Sequence, residues 1–161
     1  AAGEGVHRLR FEAGLSRPFY ENFYAFEGLQ AMAVYGNALA VVTDAELSLY
    51  RYTRFPDAYE LVGSVAADVS ALVMDANVLY LLGDSNHIRV LPYSVDQGLG
   101  TLSSALSLEG NLDFYDIDYH WDRLVLESLD GVIWAQFDGL GNLSQTGRYF
   151  TNQGKNIVLA S

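Results

Sequence analysis

Apolar residues come in short blocks along this chain, alternating with polar ones or running for five to seven positions, and turn residues close each block. The stretch "AMAVYGNALAVV" (31–42) shows the unit: a block, a two-residue polar corner, then a more apolar block. Blocks this short, rich in Val, Leu, Tyr and Phe and bounded by Gly, Asn and Asp, predict β-strands. A helix needs apolar residues at a period near 3.6, which these blocks lack.

The unit recurs. "AMAVYGNALAVV" aligns without gaps to "ALVMDANVLYLL" (71–82) and "DIDYHWDRLVLE" (116–127), with corners at 36–37, 76–77 and 121–122. A second turn follows each time ("TDAE", "GDSN", "SLDG"), then a third strand: "LSLYRY" (47–52), "HIRVLPY" (87–93) and "VIWAQF" (132–137). Fourth strands are expected around Leu61, Leu102 and Leu143, spaced by 41 and 41 residues. Four short strands per repeat of about 40–45 residues is the signature of a β-propeller blade. A β-sandwich also spaces strands this way, but gives no reason for a four-strand unit to recur.

The ends read as partial blades. "GVHRLRFEAGLS" (5–16) resembles "GVIWAQFDGLGNLS" (131–144), so residues 1–28 read as third and fourth strands only. Full blades are expected at 29–68, 69–110 and 111–153, and 154–161, with "NIVLAS", reads as the first strand of another. The expected fold is therefore all-β, one domain, with three full blades flanked by partial ones. An open fan exposes strand edges, so these residues are expected either to form part of a longer propeller chain or to assemble with other chains.

Composition narrows the partners. The net charge of −11 and a single lysine, Lys155, beside eight arginines oppose binding to nucleic acid or to anionic membranes. No apolar run approaches the ~20 residues that span a bilayer. Without cysteine there is neither a disulfide nor a thiolate metal site. The segments "IRVLPYSVDQGLGTLSS" (88–104) and "VIWAQFDGLGNLSQTG" (132–147) pass from a strand through an Asp- and Gly-containing turn to Gly-x-Leu. In this the chain resembles the lactonase-like seven-bladed propellers, although the Asn-Pro-Ser and Ser-Pro-Asp-Gly signatures usual in that family are missing. The resemblance implies the fold; fold does not carry function.

One strand breaks the pattern. Asp116 and Asp118 replace Ala31 and Ala33 of the first repeat and Ala71 and Val73 of the second. Two residues of rise set them about 7 Å apart on one face, in a strand expected to line the central channel. Three readings stand: solvated aspartates in a wet channel, a site for a hard cation such as Ca²⁺, or catalysis. In the last, a carboxylate acts as base on a lactone and Arg123 stabilises the oxyanion, with His120 nearby. The other outlier is "RPFYENFYAFEG" (17–28), whose aromatics predict burial between blades or an interface formed by Phe19, Tyr20, Phe23 and Tyr24.

The functional expectation is a non-catalytic scaffold that adds a rigid surface to a protein assembly in an extracellular, periplasmic or virion setting. A lactonase- or cyclase-type enzyme acting at the channel mouth is the alternative. A third reading is a carbohydrate- or ligand-binding propeller that stacks ligands on Trp121, Trp134 and tyrosines.

Overall fold

The computed structural model describes residues 5–10, 17–44, 46–83, 87–107, 113–137 and 143–150, and they are all β. β1 (Gly5–Arg10) and β2 (Phe19–Ala25) form a two-stranded antiparallel sheet. β3 (Leu29–Tyr35), β4 (Ala38–Thr43), β5 (Glu46–Thr53) and β6 (Ala58–Ala66) make the first full blade, each strand beside the next. The second blade has β7 (Ala71–Asp75), β8 (Val78–Leu82) and β9 (His87–Ser94), with β10 (Gly98–Leu99) and β11 (Leu106–Ser107) both paired to β9. β12 (Phe114–His120), β13 (Arg123–Ser128), β14 (Gly131–Phe137) and β15 (Leu143–Phe150) form the third. The expected strand at 156–161 lies outside the described residues.

The outer strand of the second blade is split for a local reason. Gly100 N donates to the Pro92 carbonyl at 2.8 Å, so the backbone of Pro92 faces that outer strand. Proline has no N–H to return the bond, and the ladder lapses there. A Cβ on Gly100 would sit 3.1 Å from the same carbonyl oxygen, so a larger residue there would make a tight contact.

Blades stack through strand alternation. In an antiparallel pair, residues directly opposite share a face. Within the strongly buried β4, Ala38, Ala40 and Val42 point to the second blade, where they meet Leu72, Met74, Leu79 and Leu81. Leu39 and Val41 point the other way, onto Val6 of β1. The second blade repeats this: Leu79 and Leu81 face back, while Tyr80 and Leu82 face forward onto Ile117, Leu124 and Leu126. The first strands β3, β7 and β12 lie against one another in that order, at the inner side of the arc. Fully burying a Leu, Val or Ile side chain is worth about 1.5–3 kcal/mol, so these two-sided strands carry the fold.

Polar contacts fasten the two-stranded sheet to the first blade. Asp57 Oδ1 accepts hydrogen bonds from Arg8 Nη1 (2.9 Å), Tyr24 OH (2.8 Å) and Tyr52 OH (2.8 Å). The Arg8 guanidinium also lies 4.0 Å over the Tyr52 ring and pairs through Nε with Glu21 at 3.0 Å. The tyrosine hydrogen bonds, from Tyr24 and then Tyr52, hold the Asp57 carboxyl below its usual range.

Candidate functional site

β12 and β13 display the aspartates on one defined face. Ile117 and Tyr119 turn back onto the second blade, so the alternate residues Asp116, Asp118 and His120 turn forward. Their cross-strand partners are Glu127, Val125 and Arg123 respectively. The sequence expectation put the aspartates in a channel lining. Alternation puts them instead on the blade face that, in the other repeats, stacks against a following blade.

Position by position the contrast is plain. The forward face of the first blade carries Ala31, Ala33, Ala38, Ala40 and Val42, all packed on the second. That of the second carries Ala71, Val73, Val78, Tyr80 and Leu82, all packed on the third. At the same five positions the third blade carries Asp116, Asp118, Arg123, Val125 and Glu127. Four of the five have become charged.

The aspartates are exposed and held locally: Asp116 Oδ1 accepts from the backbone N–H of Ile117 at 2.9 Å, and Asp118 Oδ1 from that of Tyr119 at 2.7 Å. Glu127 is half-buried, and burial followed by the charges of Asp116 and Asp118 pushes its carboxyl up. The three carboxylates thus feel one another. Among the described residues, however, no group of three or more His, Asp or Glu side chains converges in a way that could hold a metal ion. A hard cation needs six to eight oxygens, and this face gives the Ca²⁺ reading no support.

His120 lies across the corner from Arg123 and its ring is 4.3 Å from that of Trp121. Trp121 and Asp122 both have left-handed backbones, with φ of 48° and 62°, and Trp121 is 85% exposed. Two positive φ values in a two-residue hairpin corner match the type I′ turn, which ordinarily holds Asn-Gly. A cleft of about 290 Å³ opens between the corners of the first two blades, lined by Tyr35, Asn37, Asn77, Tyr93 and Asp96 among others. Asp116, Asp118, His120 and Arg123 do not line it, so cavity and carboxylates do not coincide.

The aromatic segment divides between two faces. Tyr24 turns toward the first blade, with its ring 4.7 Å from Tyr59 and its hydroxyl on Asp57. Tyr20 and Phe23 pair with Leu9 and His7 on the opposite face, where Tyr20 is 59% exposed. The side chain of Phe19 lies outside the described residues. Two features went unread in the sequence. Glu127 aligns with Val42 and Leu82, a signal available in the repeat itself. Asp57 sits in a turn, and nothing in its spacing reveals the two tyrosines and the arginine gathered from other strands.

No protein-family model matches the sequence, and no curated protein sequence matches it. Solved structures do share the fold. A Lactobacillus plantarum protein matches with TM-score 0.70 at 15% identity, over 94% of this chain and 50% of that one. A candidate 6-phosphogluconolactonase from Bacteroides fragilis matches with TM-score 0.65 at 14% identity, over 88% of this chain and 47% of that one. The Nup170 N-terminal domain in complex with Nup53, from Chaetomium thermophilum, matches with TM-score 0.54 at 17% identity, over 92% of this chain and 29% of that one. The chain spans about half the length of the two bacterial proteins. What these likenesses establish is the fold: an all-β arc of antiparallel β-propeller blades, matching part of a larger propeller.

Proposed function

We propose that these residues form a non-catalytic segment of a propeller scaffold, which contributes a rigid, charged surface to a larger protein assembly. The observation that carries this reading is the forward face of the third blade. Where two other blades pack apolar residues, from Ala to Tyr80, it offers Asp116, Asp118, Arg123 and Glu127. Charges at those positions favour a surface that meets water or a polar partner, because burying them unpaired is costly. The nucleoporin match supports the idea in kind only: that propeller-like domain is seen with a protein partner.

Native and denaturing mass of the complete polypeptide that contains these residues, taken side by side, test the reading. A stable complex with other protein chains, weakened by Asp116→Arg with Asp118→Arg, is the expected result. A lone monomer that hydrolyses a lactone, and loses that activity in Asp116→Ala with Asp118→Ala, overturns it in favour of the enzyme. The candidate lactonase among the structural matches is what keeps that second reading worth the assay.

A further inference from the structure

The cleft between the corners of the first two blades is assembled from repeated parts, yet its lining is not repeated. Alternation puts Tyr35 on the same face of β3 as Ala31 and Ala33, which pack on the second blade. Tyr35 lines the cleft together with Asn37 of the first corner, Asn77 of the second, and Tyr93, Ser94 and Asp96. Both corners are pinned to third strands: Tyr52 N donates to the Asn37 carbonyl at 2.7 Å, and Tyr93 N to that of Asn77 at 2.9 Å. Small residues keep the space open. A Cβ on Gly36, at the rim, would meet nothing within 4 Å.

The lining groups are held in place but not used up. The carboxamides of Asn37 and Asn77 have no hydrogen-bond partner among the described residues, and each can donate to one group while accepting from another. Ser94 Oγ accepts from Asp96 N at 3.2 Å and keeps its own proton to donate. Asp96 Oδ1 accepts from Arg51 Nη1 at 3.3 Å across the two blades, which leaves Oδ2 for another donor. Tyr93 is buried, and its hydroxyl donates to the Asp75 carbonyl at 2.9 Å, fixing the ring. Tyr35 is exposed and offers an aromatic face with a polar tip.

We propose that this cleft binds a neutral sugar unit, with its apolar face on Tyr35 and its neighbouring hydroxyls on Asn37, Asn77 and Asp96. Charge, size and the repeat choose that class. Among the described residues that line the cleft, Asp96 is the one charged group and Arg51 already pairs it. Nothing there is cationic, so a phosphate or carboxylate finds no counter-charge. At about 290 Å³ the cleft sits at the small end of the ~300–1,000 Å³ usual for ligand sites, room for one ring. The next corner junction holds Asp75, Asn77 and Asp122 where this one holds Tyr35, Asn37 and Asn77, so the aromatic-and-amide set belongs to this cleft alone among the two. Trp121 and Trp134, the stacking residues expected from the sequence, do not line it. The proposal rests on neither the scaffold role nor the lactonase alternative.

Saturation-transfer NMR on the complete polypeptide tests this, with the methyl glycosides of glucose, galactose, mannose and N-acetylglucosamine as probes beside a uronic acid and a sugar phosphate. At least one neutral glycoside should bind saturably in the millimolar range. Asn37→Ala with Asn77→Ala should weaken that binding roughly tenfold or more, from two lost hydrogen bonds. Tyr35→Ala should weaken it too, and Trp121→Ala should leave it unchanged. All four side chains are exposed, so unaltered melting transitions separate lost binding from lost fold. Ala76→Trp fills the cleft without removing a polar group and should abolish binding. The proposal is overturned if no neutral glycoside saturates, if the charged sugars bind as tightly, if binding survives the Asn37 and Asn77 changes, or if Trp121→Ala removes it. None of these readouts needs a protein partner or a hydrolytic step, so this inference and the scaffold reading fail separately.

Discussion

The first strands β3 and β12 stand at the two ends of the arc and are unfinished in opposite senses. β3 packs its forward face, Ala31 and Ala33, on the second blade and leaves its rear face, Met32 and Val34, uncovered. β12 packs its rear face, Ile117 and Tyr119, and leaves its forward face, Asp116 and Asp118, open. At one end the open face is apolar and gains by being covered. At the other it is acidic and stable in water. The same structural position therefore exposes apolar side chains at one end of the described residues and acidic ones at the other. Geometry alone does not distinguish them; the side-chain chemistry does.

The sharpest way to break the comparison is to make an identical change at matching covered and uncovered positions. Leu72→Lys places an ammonium among Ala38, Ala40 and Leu81, and it should cost the 161-residue chain about 3 kcal/mol or more. Met32→Lys, at the equivalent but open position, should cost that chain about 0.5 kcal/mol or less. Urea denaturation of both measures the difference. Equal losses would mean that Met32 is covered after all and that the leading end is closed.

A second change bears on the trailing end. The Trp121-Asp122 corner holds two non-glycine residues in the left-handed region, which costs roughly 1–2 kcal/mol per residue for ordinary side chains. Trp121→Asn with Asp122→Gly supplies the residues a type I′ turn prefers and should raise stability by about 1–2 kcal/mol. Outliers of this kind persist where something other than stability selects them. If the variant is no more stable, the Trp121 contact with His120 is compensating for the strain. The equivalent corner of the first blade has glycine at 36 with φ of 59°, and so has nothing to relieve.

Much of this was legible in the sequence because a propeller repeats itself. Three gap-free copies of the strand–corner–strand unit gave the blades, and the departures at 116 and 118 stood out against Ala and Val. The direction in which those aspartates face was less legible. A period of two says that they share a face, but which neighbouring blade that face meets depends on stacking between sheets. Asp57 was invisible for a related reason. Its partners Arg8, Tyr24 and Tyr52 lie on three different strands, and only the packing of β1 and β2 on the first blade brings them together.

That cluster ties the two-stranded sheet to the first blade at the leading end. A carboxyl held below its usual range contributes stability above the unfolded value, and loses it as pH falls through the lower folded value. Acidification below about 3.8 should therefore loosen β1 and β2 before the full blades. Amide exchange resolved by strand measures this. In Asp57→Ala the same two strands should exchange faster at neutral pH while β7, β8 and β9 are unchanged. Uniform loosening would mean that Val6 on Leu39 and Val41, and not the polar joint, decides how the sheet is held.

The smallest expected effect belongs to Glu127, and its sign is opposite. Burial and the charges of Asp116 and Asp118 raise its folded value above the ordinary 4.5. A carboxyl raised in this way is unfavourable to folding once pH exceeds the unfolded value, and the penalty is complete above the folded one. Glu127→Gln should therefore stabilise the chain at neutral pH, with the gain vanishing as pH falls below about 4.5. Combining it with Asp116→Asn should give less than the sum of the two, because each change removes part of the same repulsion. Denaturation midpoints of the single and double variants at neutral and acid pH measure both effects. A basic partner docked on this face would reverse the neutral-pH result, since Glu127 would then be paired and its loss destabilising. The comparison of the two ends thus comes to rest on one carboxylate: stabilisation by Glu127→Gln means an acidic face open to water, and destabilisation means a face that another protein has already claimed.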